Sequence, residues 1–185
     1  IDMKSKDALD RSWQCSTIQV DFHNPTQFKL EYIAEDGKAH QPVMVHRALL
    51  GSLERFFGVL VEHYAGAFPL WLAPVQAVVI PVSEKQQAYG REVGEELRKL
   101  GVRVQVDDRN EKLGYRIREA QVQKVPYMLV VGDKEVEAKS VSVRHRQAGD
   151  LGPQDVASFG ARVLRLSAER ATREEAPAPS AGGVQ

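Results

Sequence analysis

Hydrophobic and polar side chains alternate along the first part of the chain, the period that is typical of β-strands. Turn-forming pairs such as Asn24-Pro25 separate the alternating segments. Because these connections are short, we expect the strands to pair antiparallel in one sheet. The predicted strands cover residues 1–8, 13–22, 28–33 and 41–46.

The hydrophobic period changes after the fourth predicted strand. Apolar residues then recur every three or four positions, which predicts a helix over residues 48–64 packed on the sheet. Arg55 lies beside this apolar stripe, where a guanidinium is costly unless an anion or carbonyl oxygens meet it. The stripe that we expect to be buried contains Leu49, Leu53, Phe56 and Leu60.

Beyond a break rich in proline and glycine, apolar strands alternate with helices. This order predicts a small three-layer α/β domain with a mixed, mostly parallel sheet. Gly132-Asp133 is expected to form a turn. The pattern predicts strands at 75–82, 102–106, 127–131 and 140–146, and helices at 84–100, 111–124 and 153–170.

We therefore predict the α/β fold class, with an α+β unit over residues 1–72 and the three-layer α/β domain over 73–172. Residues 173–185 are rich in Pro, Ala, Gly and Glu, a composition that predicts a disordered tail. The chain has no initiator methionine and opens with a mid-strand pattern, so we expect it to be a portion of a longer protein.

Composition excludes several classes of protein. Lys+Arg and Asp+Glu number 25 each, so any basic site for a polyanion must be local. The single cysteine, Cys15, permits no intrachain disulfide and indicates a reducing compartment. No apolar run approaches the roughly 18 residues of a membrane span, and the sequence has neither a P-loop nor a GxGxxG motif.

Two groups of residues are candidates for chemistry. Polar side chains share one face of the strand 13–22, which can line a pocket, although a solvated face is the commoner meaning of this pattern. His46 is a possible metal ligand, but zinc needs three or four ligands, so a structural histidine is the favoured interpretation. The second group is a basic cluster with Asn110 and two tyrosines, which suits RNA recognition or, equally, an ion-paired helix face; its cations are Arg109, Lys112, Arg116, Arg118, Lys124, Arg144 and Arg146.

Three segments carry a resemblance to a known family. HRALLGSLERF, residues 46–56, resembles the third signature motif of class II aminoacyl-tRNA synthetases, and its first two residues resemble the threonyl enzymes. The segment 109–137 closely resembles the anticodon-binding domain of the same enzymes, and the likeness extends over roughly residues 1–152. It identifies residues 1–72 as the C-terminal part of a catalytic domain and 73–172 as an anticodon-binding domain.

The resemblance implies roles in the first unit for a set of residues around the strand WQCSTIQVDF, residues 13–22. Arg55 corresponds to the motif arginine, which covers the adenine of ATP and neutralises its phosphates. His46 corresponds to one of three zinc ligands, and that zinc binds the amino and hydroxyl groups of threonine, which rejects valine. The remaining implied residues are Gln14 and Thr17 near ATP, and Cys15, Gln19 and Ser52 near the substrate.

In the second unit the resemblance implies contacts to the anticodon bases. A carboxylate suits a guanine edge because it accepts from two adjacent N–H groups. Cations and amides can bind phosphates and the remaining base edges. The implied residues are Asn110, Lys112, Arg118, Glu135 and Arg144.

The implied parent is a cytoplasmic, homodimeric threonine–tRNA ligase without membrane association, which uses ATP with Mg, zinc, threonine and tRNA-Thr. Its first two motifs and other zinc ligands are expected outside this chain, so we predict that the chain alone is inactive but binds tRNA. Ser16 departs from the usual glycine of the family, which can tighten the pocket. The alternatives are a non-catalytic RNA-binding or regulatory paralogue and, less favoured by His46 and WQCSTIQ, another synthetase with the same anticodon domain.

Overall fold

The protein forms two compact units in a computed structural model that describes residues 1–172. The first unit comprises Ile1–Ala65, and the second begins at Gly66. The expected disordered tail at 173–185 lies outside the described residues. Together the helices and sheets confirm the α/β fold class.

The first unit is an antiparallel sheet with the strand order β1-β2-β5, accompanied by a small β3-β4 hairpin and two helices. The prediction of one sheet with short connections is confirmed for the β1-β2 pair only, because a long segment containing α1 and the separate β3-β4 hairpin joins β2 to β5. The elements are β1 Asp2–Lys6, β2 Ser12–Asp21, α1 His23–Gln27, β3 Tyr32–Ile33, β4 Ala39–His40, β5 Met44–Ala48 and α2 Leu53–Tyr64.

The register of the β2-β5 pair confirms the predicted polar face. Gln19 lies directly opposite His46, and Thr17 lies opposite Ala48. Directly opposed residues in an antiparallel pair share a face of the sheet, so these side chains are on one side together. The β1-β2 pairing contains a bulge, because Met3 pairs with Ser16 and the next residue of β1 pairs with Gln14.

The helix α2 differs from its prediction in two ways. It begins at Leu53 and not at residue 48, because Gly51 adopts a left-handed conformation with φ +67° and Ser52 then caps the helix. The expected buried stripe is wrong, since no residue of α2 is buried and Leu49 and Leu53 remain 64% and 66% exposed. Apolar spacing indicates which side chains share a face, but burial requires a surface that covers that face.

Two shorter predictions in this unit are also wrong. Asn24-Pro25 lies in helix α1, whose first backbone N–H groups, from His23 and Asn24, donate to the Asp21 carboxylate at 2.8 and 3.0 Å. Proline is tolerated in a first helical turn because its missing N–H would be unpaired there. The predicted strand 28–33 is reduced to Tyr32–Ile33.

The second unit is a five-stranded mixed sheet with the order β10-β9-β8-β6-β7. The β6-β7 and β6-β8 pairs are parallel, whereas the β8-β9 and β9-β10 pairs are antiparallel. A 3-10 turn at Glu84–Gln86 precedes the first helix. The elements are β6 Ala77–Pro81, α3 Gln87–Leu100, β7 Val104–Val106, α4 Leu113–Val122, β8 Tyr127–Val131, α5 Asp133–Ala138, β9 Ser140–His145, β10 Gly149–Asp155 and α6 Val156–Ala168.

Helices cover both faces of this sheet and give the predicted three layers. On one face α3 and α6 bury Val93, Leu97 and Phe159 against the strands. On the other face α4 packs Ala120 against Met128. Alternate residues of the central strands therefore enter two separate apolar clusters, as expected for a sheet between two helical layers.

The sequence missed two elements of the second unit. Gly132-Asp133 begins helix α5, whose first turn holds the Glu135 carboxylate within 2.8 Å of the Gly132 N–H. Residues 149–155 form the edge strand β10, so the last helix begins at Val156 and not at 153. Pro153 interrupts any strand pattern, but an edge strand tolerates it because one side of the strand needs no partner.

Among the described residues, no helix combines the length and hydrophobicity needed to cross a lipid bilayer.

Candidate functional site

Arg55 meets a carbonyl oxygen and an aromatic ring at the end of the sheet in the first unit. Its Nη2 donates to the Gln14 carbonyl at 3.1 Å, and its guanidinium lies 5.7 Å from the centre of the Trp13 ring. Arg11 lies 5.6 Å from the same ring. The Arg55 side chain is exposed, and these two partners hold its guanidinium against β2.

A buried carboxylate anchors the Trp13 ring. Asp7 accepts a hydrogen bond from the indole Nε1 at 2.8 Å and another from the Arg11 guanidinium. Burial alone would raise the pKa of Asp7, but the hydrogen bonds from Trp13 and Arg11 outweigh it and lower the pKa to about 2. This network was not predicted from the sequence, because Asp7 falls at the end of the predicted strand 1–8, where an acidic residue carries no signal of burial.

Ser52, which is implied near the substrate, begins α2, whereas Gln14 and Thr17, which are implied near ATP, lie on β2. Ser52 caps α2 by accepting from the Arg55 N–H at 3.3 Å, and its hydroxyl donates to Glu54 at 2.8 Å. The side chain of Gln14 donates to Asp2 at 2.7 Å. The hydroxyl of Thr17 is buried without a hydrogen-bond partner among residues 1–172.

Gln19, which is implied near threonine, and His46, which is implied as a zinc ligand, form a separate pair further along β2 and on β5, whereas Cys15 adjoins Gln14 and Ser52 caps α2. His46 Nε2 lies 2.7 Å from Asp21 Oδ2, and both residues line a cleft with Gln19. Hydrogen bonds from the Asn24 N–H and then from His46 lower the pKa of Asp21. Five residues of strand, roughly 16 Å, separate Gln19 from Gln14. The thiol of Cys15 is half-buried and points its sulfur toward the Trp13 carbonyl at 3.6 Å.

The fit to zinc is only partial. A carboxylate on one ring nitrogen is the usual arrangement of a metal-binding histidine, because it fixes the tautomer of the other nitrogen. However, the part of the chain that the structure describes brings no group of three His, Cys, Asp or Glu residues together. His46 can therefore supply one ligand, and these residues do not hold a zinc ion by themselves.

The implied RNA-binding residues of the second unit follow the carboxyl end of the sheet and the outer face of α4. Asn110 and Lys112 are exposed in the connection between β7 and α4, and Arg118 is exposed on α4. Asn110 lines a cleft of about 390 Å³ together with Ser83 and Lys85. The carboxyl ends of parallel strands are where α/β sheets bind ligands most often.

Glu135 and Arg144 lie on other elements. Glu135 in α5 follows the carboxyl end of β8, near the level of Asn110 in the sheet. Arg144 in β9 lies opposite Met128 at the start of β8, on the face that α4 partly covers. Its Nε atom is buried without a hydrogen-bond partner within the described range. The residues thus follow an extended surface and do not converge on one point.

The predicted basic cluster is smaller than the sequence suggests. Arg116 is buried, at 4% exposure, and donates to the carbonyls of Asp107 at 2.9 Å and Pro81 at 2.7 Å. Arg146 donates to backbone carbonyls as well, at 2.7 Å for Phe68. Both cations therefore hold backbone carbonyls, and Arg116 is also shielded from a polyanion by burial. Sequence composition does not distinguish such a structural arginine from a surface one.

Comparisons with known proteins match both units. The family model described as "tRNA synthetase class II core domain (G, H, P, S and T)" matches residues 1–64. The family model described as "Anticodon binding domain" matches residues 76–166. The two matches lie one in each compact unit.

Two curated relatives are both named threonine–tRNA ligase. The chain is 56% identical over 171 residues to a threonine–tRNA ligase of Caldanaerobacter subterraneus, with 92% of this chain and 27% of the relative covered. It is 53% identical over its whole length to the threonine–tRNA ligase of Symbiobacterium thermophilum, of which it covers 28%. The chain therefore spans about a quarter of the length of these relatives.

A solved structure gives the same result for the fold. The RNA binding domain of threonyl-tRNA synthetase from Cryptosporidium parvum Iowa II superposes with a TM-score of 0.78 at 36% identity. That match covers 89% of this chain and 42% of the solved chain. Sequence motifs, family models and fold agree, and the chain belongs to the threonyl-tRNA synthetases, a family of class II aminoacyl-tRNA synthetases.

Proposed function

We propose that this chain is the C-terminal part of a threonine–tRNA ligase, which charges tRNA-Thr with threonine in an ATP-dependent reaction. The likeness to the Symbiobacterium ligase, which runs through both units at 53% identity, carries this proposal. Because a non-catalytic paralogue does not need nucleotide-binding residues, the proposed nucleotide residues Arg55, Gln14 and Thr17 favour the ligase over the paralogue.

In the first unit the proposed reaction is attack of the threonine carboxylate on the α-phosphate of ATP, which releases pyrophosphate and forms threonyl-adenylate. A hydroxyl of the terminal adenosine of the tRNA then takes the threonyl group and AMP leaves. Arg55 is the proposed catalytic residue, because a guanidinium can stack on adenine and neutralise phosphate charge. Gln14 and Thr17 would position ATP with its Mg ion. Cys15, Gln19 and Ser52 would line the side of the threonine.

His46 is the proposed zinc ligand of this unit. The Asp21 carboxylate on Nε2 supports that role, because it orients the ring. The remaining ligands would come from other parts of the whole protein. A zinc ion there would bind the amino and hydroxyl groups of threonine. Homodimer formation and a cytoplasmic location belong to the same proposal for the whole enzyme.

The second unit is the proposed anticodon reader. Asn110, Lys112 and Arg118 would contact bases and phosphates beside α4, Glu135 would accept from a guanine edge, and Arg144 would contact a further base. The unpaired Nε of Arg144 supports this, since a buried donor without a partner is costly until a ligand supplies an acceptor.

Binding of an anticodon stem-loop to the 185-residue chain tests the proposal. We expect salt-sensitive binding of the tRNA-Thr stem-loop, a loss of about tenfold or more for Glu135→Ala or Arg144→Ala, and no change for Glu137→Ala on the same helix. Binding that ignores both substitutions contradicts the assignment of the second unit.

An aminoacylation assay tests whether these 185 residues alone can charge tRNA-Thr. The chain alone is expected to produce no threonyl-tRNA, because the residues it contributes to the nucleotide and zinc sites are only part of each site. Robust threonylation by these 185 residues would contradict that expectation.

A metal analysis of the full-length protein should find zinc, and the ion should be lost in a His46→Ala variant.

A further inference from the structure

The connection between β7 and α4, residues 107–112, contains an arginine with an unusual set of partners. Arg109 donates through Nε to Asp107 Oδ1 at 2.9 Å and through Nη2 to Asp107 Oδ2 at 2.8 Å. The same Nη2 lies 2.7 Å from Glu119 Oε2 in α4. One guanidinium therefore bridges the start of this connection to the middle of the following helix.

Backbone contacts fix the rest of this connection. The buried Arg116 donates to the Asp107 carbonyl at 2.9 Å, and the Glu111 N–H donates to the Arg109 carbonyl at 2.8 Å. By contrast, the side chains of Asn110 and Lys112 are exposed and make no hydrogen bond or ion pair with the described residues. The connection thus presents two unpaired polar side chains on a tightly held backbone.

The charged groups around Arg109 also differ from those around Lys112. Its hydrogen bonds to Asp107 lower the pKa of that carboxyl group below its usual value, so the pair is ionised at neutral pH. Two carboxylates already surround the guanidinium, and Asp107 is only 10% exposed. A phosphate would have to displace these partners to reach Arg109, whereas Lys112 needs no such exchange.

We propose that Arg109 is a positioning residue of the RNA-binding surface, which contacts no phosphate but holds residues 107–112 so that Asn110 and Lys112 meet the RNA. This inference rests on the proposed anticodon-binding function of the second unit. In this role Arg109 raises the affinity for RNA by keeping residues 107–112 ordered before binding, and its own charge does not contribute. A segment that is already ordered loses less entropy on binding.

The salt dependence of binding distinguishes a positioning role of Arg109 from a direct contact between Arg109 and phosphate. A lost phosphate contact on single-stranded RNA lowers the slope of log K against log salt by about 0.7. We expect Arg109→Gln to weaken binding of the tRNA-Thr anticodon stem-loop about three- to tenfold with an unchanged slope. Lys112→Gln should weaken binding and also lower the slope by about 0.7.

Asp107→Asn gives opposite expectations for the two roles. If Arg109 positions the backbone, this substitution weakens binding about as much as Arg109→Gln and does not change the slope. If Arg109 were a phosphate ligand, the freed guanidinium would strengthen binding and steepen the slope. The double variant should lose no more than either single variant, because both break the same interaction.

Three further measurements complete the test. Arg98→Gln in α3, which also breaks an exposed ion pair and removes one positive charge, should leave affinity unchanged. Arg109→Lys keeps the charge but cannot bind Asp107 through a fork, so it should be as weak as Arg109→Gln. Preference for the cognate anticodon over a scrambled loop should fall in the Arg109 and Asp107 variants, with the melting temperature of each recorded beside it.

The outcomes are distinguishable from failure of the proposed function. If the unaltered chain has no preference for the cognate loop, the anticodon-binding proposal fails. If the unaltered chain binds but Arg109→Gln lowers the slope, or Arg109→Lys retains full affinity, the positioning role alone is overturned. Should Arg109→Gln not fold, Asp107→Asn and Arg109→Lys still decide between the two roles.

Discussion

The two units bury different kinds of residue. In the second unit the whole of β6 is buried, and α3 and α6 bury apolar side chains such as Leu97 and Phe159. In the first unit the buried residues are Asp7, Ser16 and Pro25, and α2 buries none. One unit thus has a hydrophobic core of its own, whereas strand pairing and a polar network hold the other.

This difference indicates where stability resides. Burial of apolar surface is the dominant favourable term in folding, so most of the free energy of unfolding should belong to the second unit. The first unit keeps its apolar side chains exposed, including Phe57 at 59%, and it carries the proposed chemistry. Matched substitutions in the two units therefore test this difference in stability.

The largest effect should come from the hydrophobic core. Phe159→Ala removes a fully buried ring and should lower the free energy of unfolding of the second unit by about 3–5 kcal/mol. Phe57→Ala in α2 should change the first unit by less than about 0.5 kcal/mol. Urea denaturation measures both, because each unit has one tryptophan, Trp13 or Trp71, as a fluorescence reporter.

A large loss from Phe57→Ala would mean that α2 is covered in solution, which contradicts the contrast between the units. Each reporter is best read in a background in which the other tryptophan is replaced by phenylalanine. A Phe159→Leu variant serves as the conservative control, since it retains most of the buried volume and should cost less than alanine.

A second effect distinguishes structural from surface arginines on one helix. Arg116→Met leaves the buried carbonyls of Pro81 and Asp107 without a donor, which should cost about 1–3 kcal/mol. Arg118→Met, two residues away and exposed, should change stability by less than about 0.5 kcal/mol yet weaken RNA binding. Equal destabilisation by the two substitutions, in the same urea experiment, would remove the distinction.

The sequence predicts the second unit better than the first for a physical reason. The strand Tyr127–Val131 has the bounds that its apolar run predicts, and Gly101 ends α3 in a left-handed conformation as expected. There, sequence pattern and packing agree because the unit contains both sides of its own core. In α2 the pattern indicates the apolar face correctly, but the residues that would cover it are not among those described.

The candidate site follows the same rule. That Gln19 shares a strand face with Thr17, and His46 with Met44, could be expected from alternation alone, and the register of the β2-β5 pair then places Gln19 opposite His46. The contacts of Arg55 with Trp13 and the Gln14 carbonyl could not, since they join positions far apart in the chain. Long-range contacts of this kind depend on tertiary packing, which local pattern does not encode.

Acidification should lower the stability of the first unit through protonation of Asp7, which the second unit does not contain. Its folded-state pKa of about 2 lies below the value of about 3.9 for an unfolded aspartate. The stabilisation by its ionised form is therefore complete above about pH 3.9, decreases as the pH falls towards 2, and is absent below both values. We expect the urea midpoint of the first unit, read from Trp13, to fall across this interval.

Asp7→Asn should lower that midpoint at neutral pH and flatten its acid dependence, because the amide cannot accept all the hydrogen bonds of the carboxylate. Asp10→Asn in the same turn is the matched control, since the side chain of Asp10 is 83% exposed. An acid profile that is identical in the Asp7→Asn variant and the unaltered chain would show that Asp7 does not titrate within the folded unit.

The smallest effect concerns the caps of two helices. Asp155 caps α6 by accepting from the Ser158 N–H at 2.9 Å, whereas the Ser52 hydroxyl accepts at 3.3 Å in α2 and also donates to Glu54. Asp155→Ala should cost the second unit about 1 kcal/mol, and Ser52→Ala should cost the first about 0.5 kcal/mol. Ser52→Thr retains the oxygen and should restore most of that loss in the same denaturation experiment. A greater loss at Ser52 would indicate that the cap, and not packing, determines where α2 begins, since this helix has no buried side chain to hold its first turn.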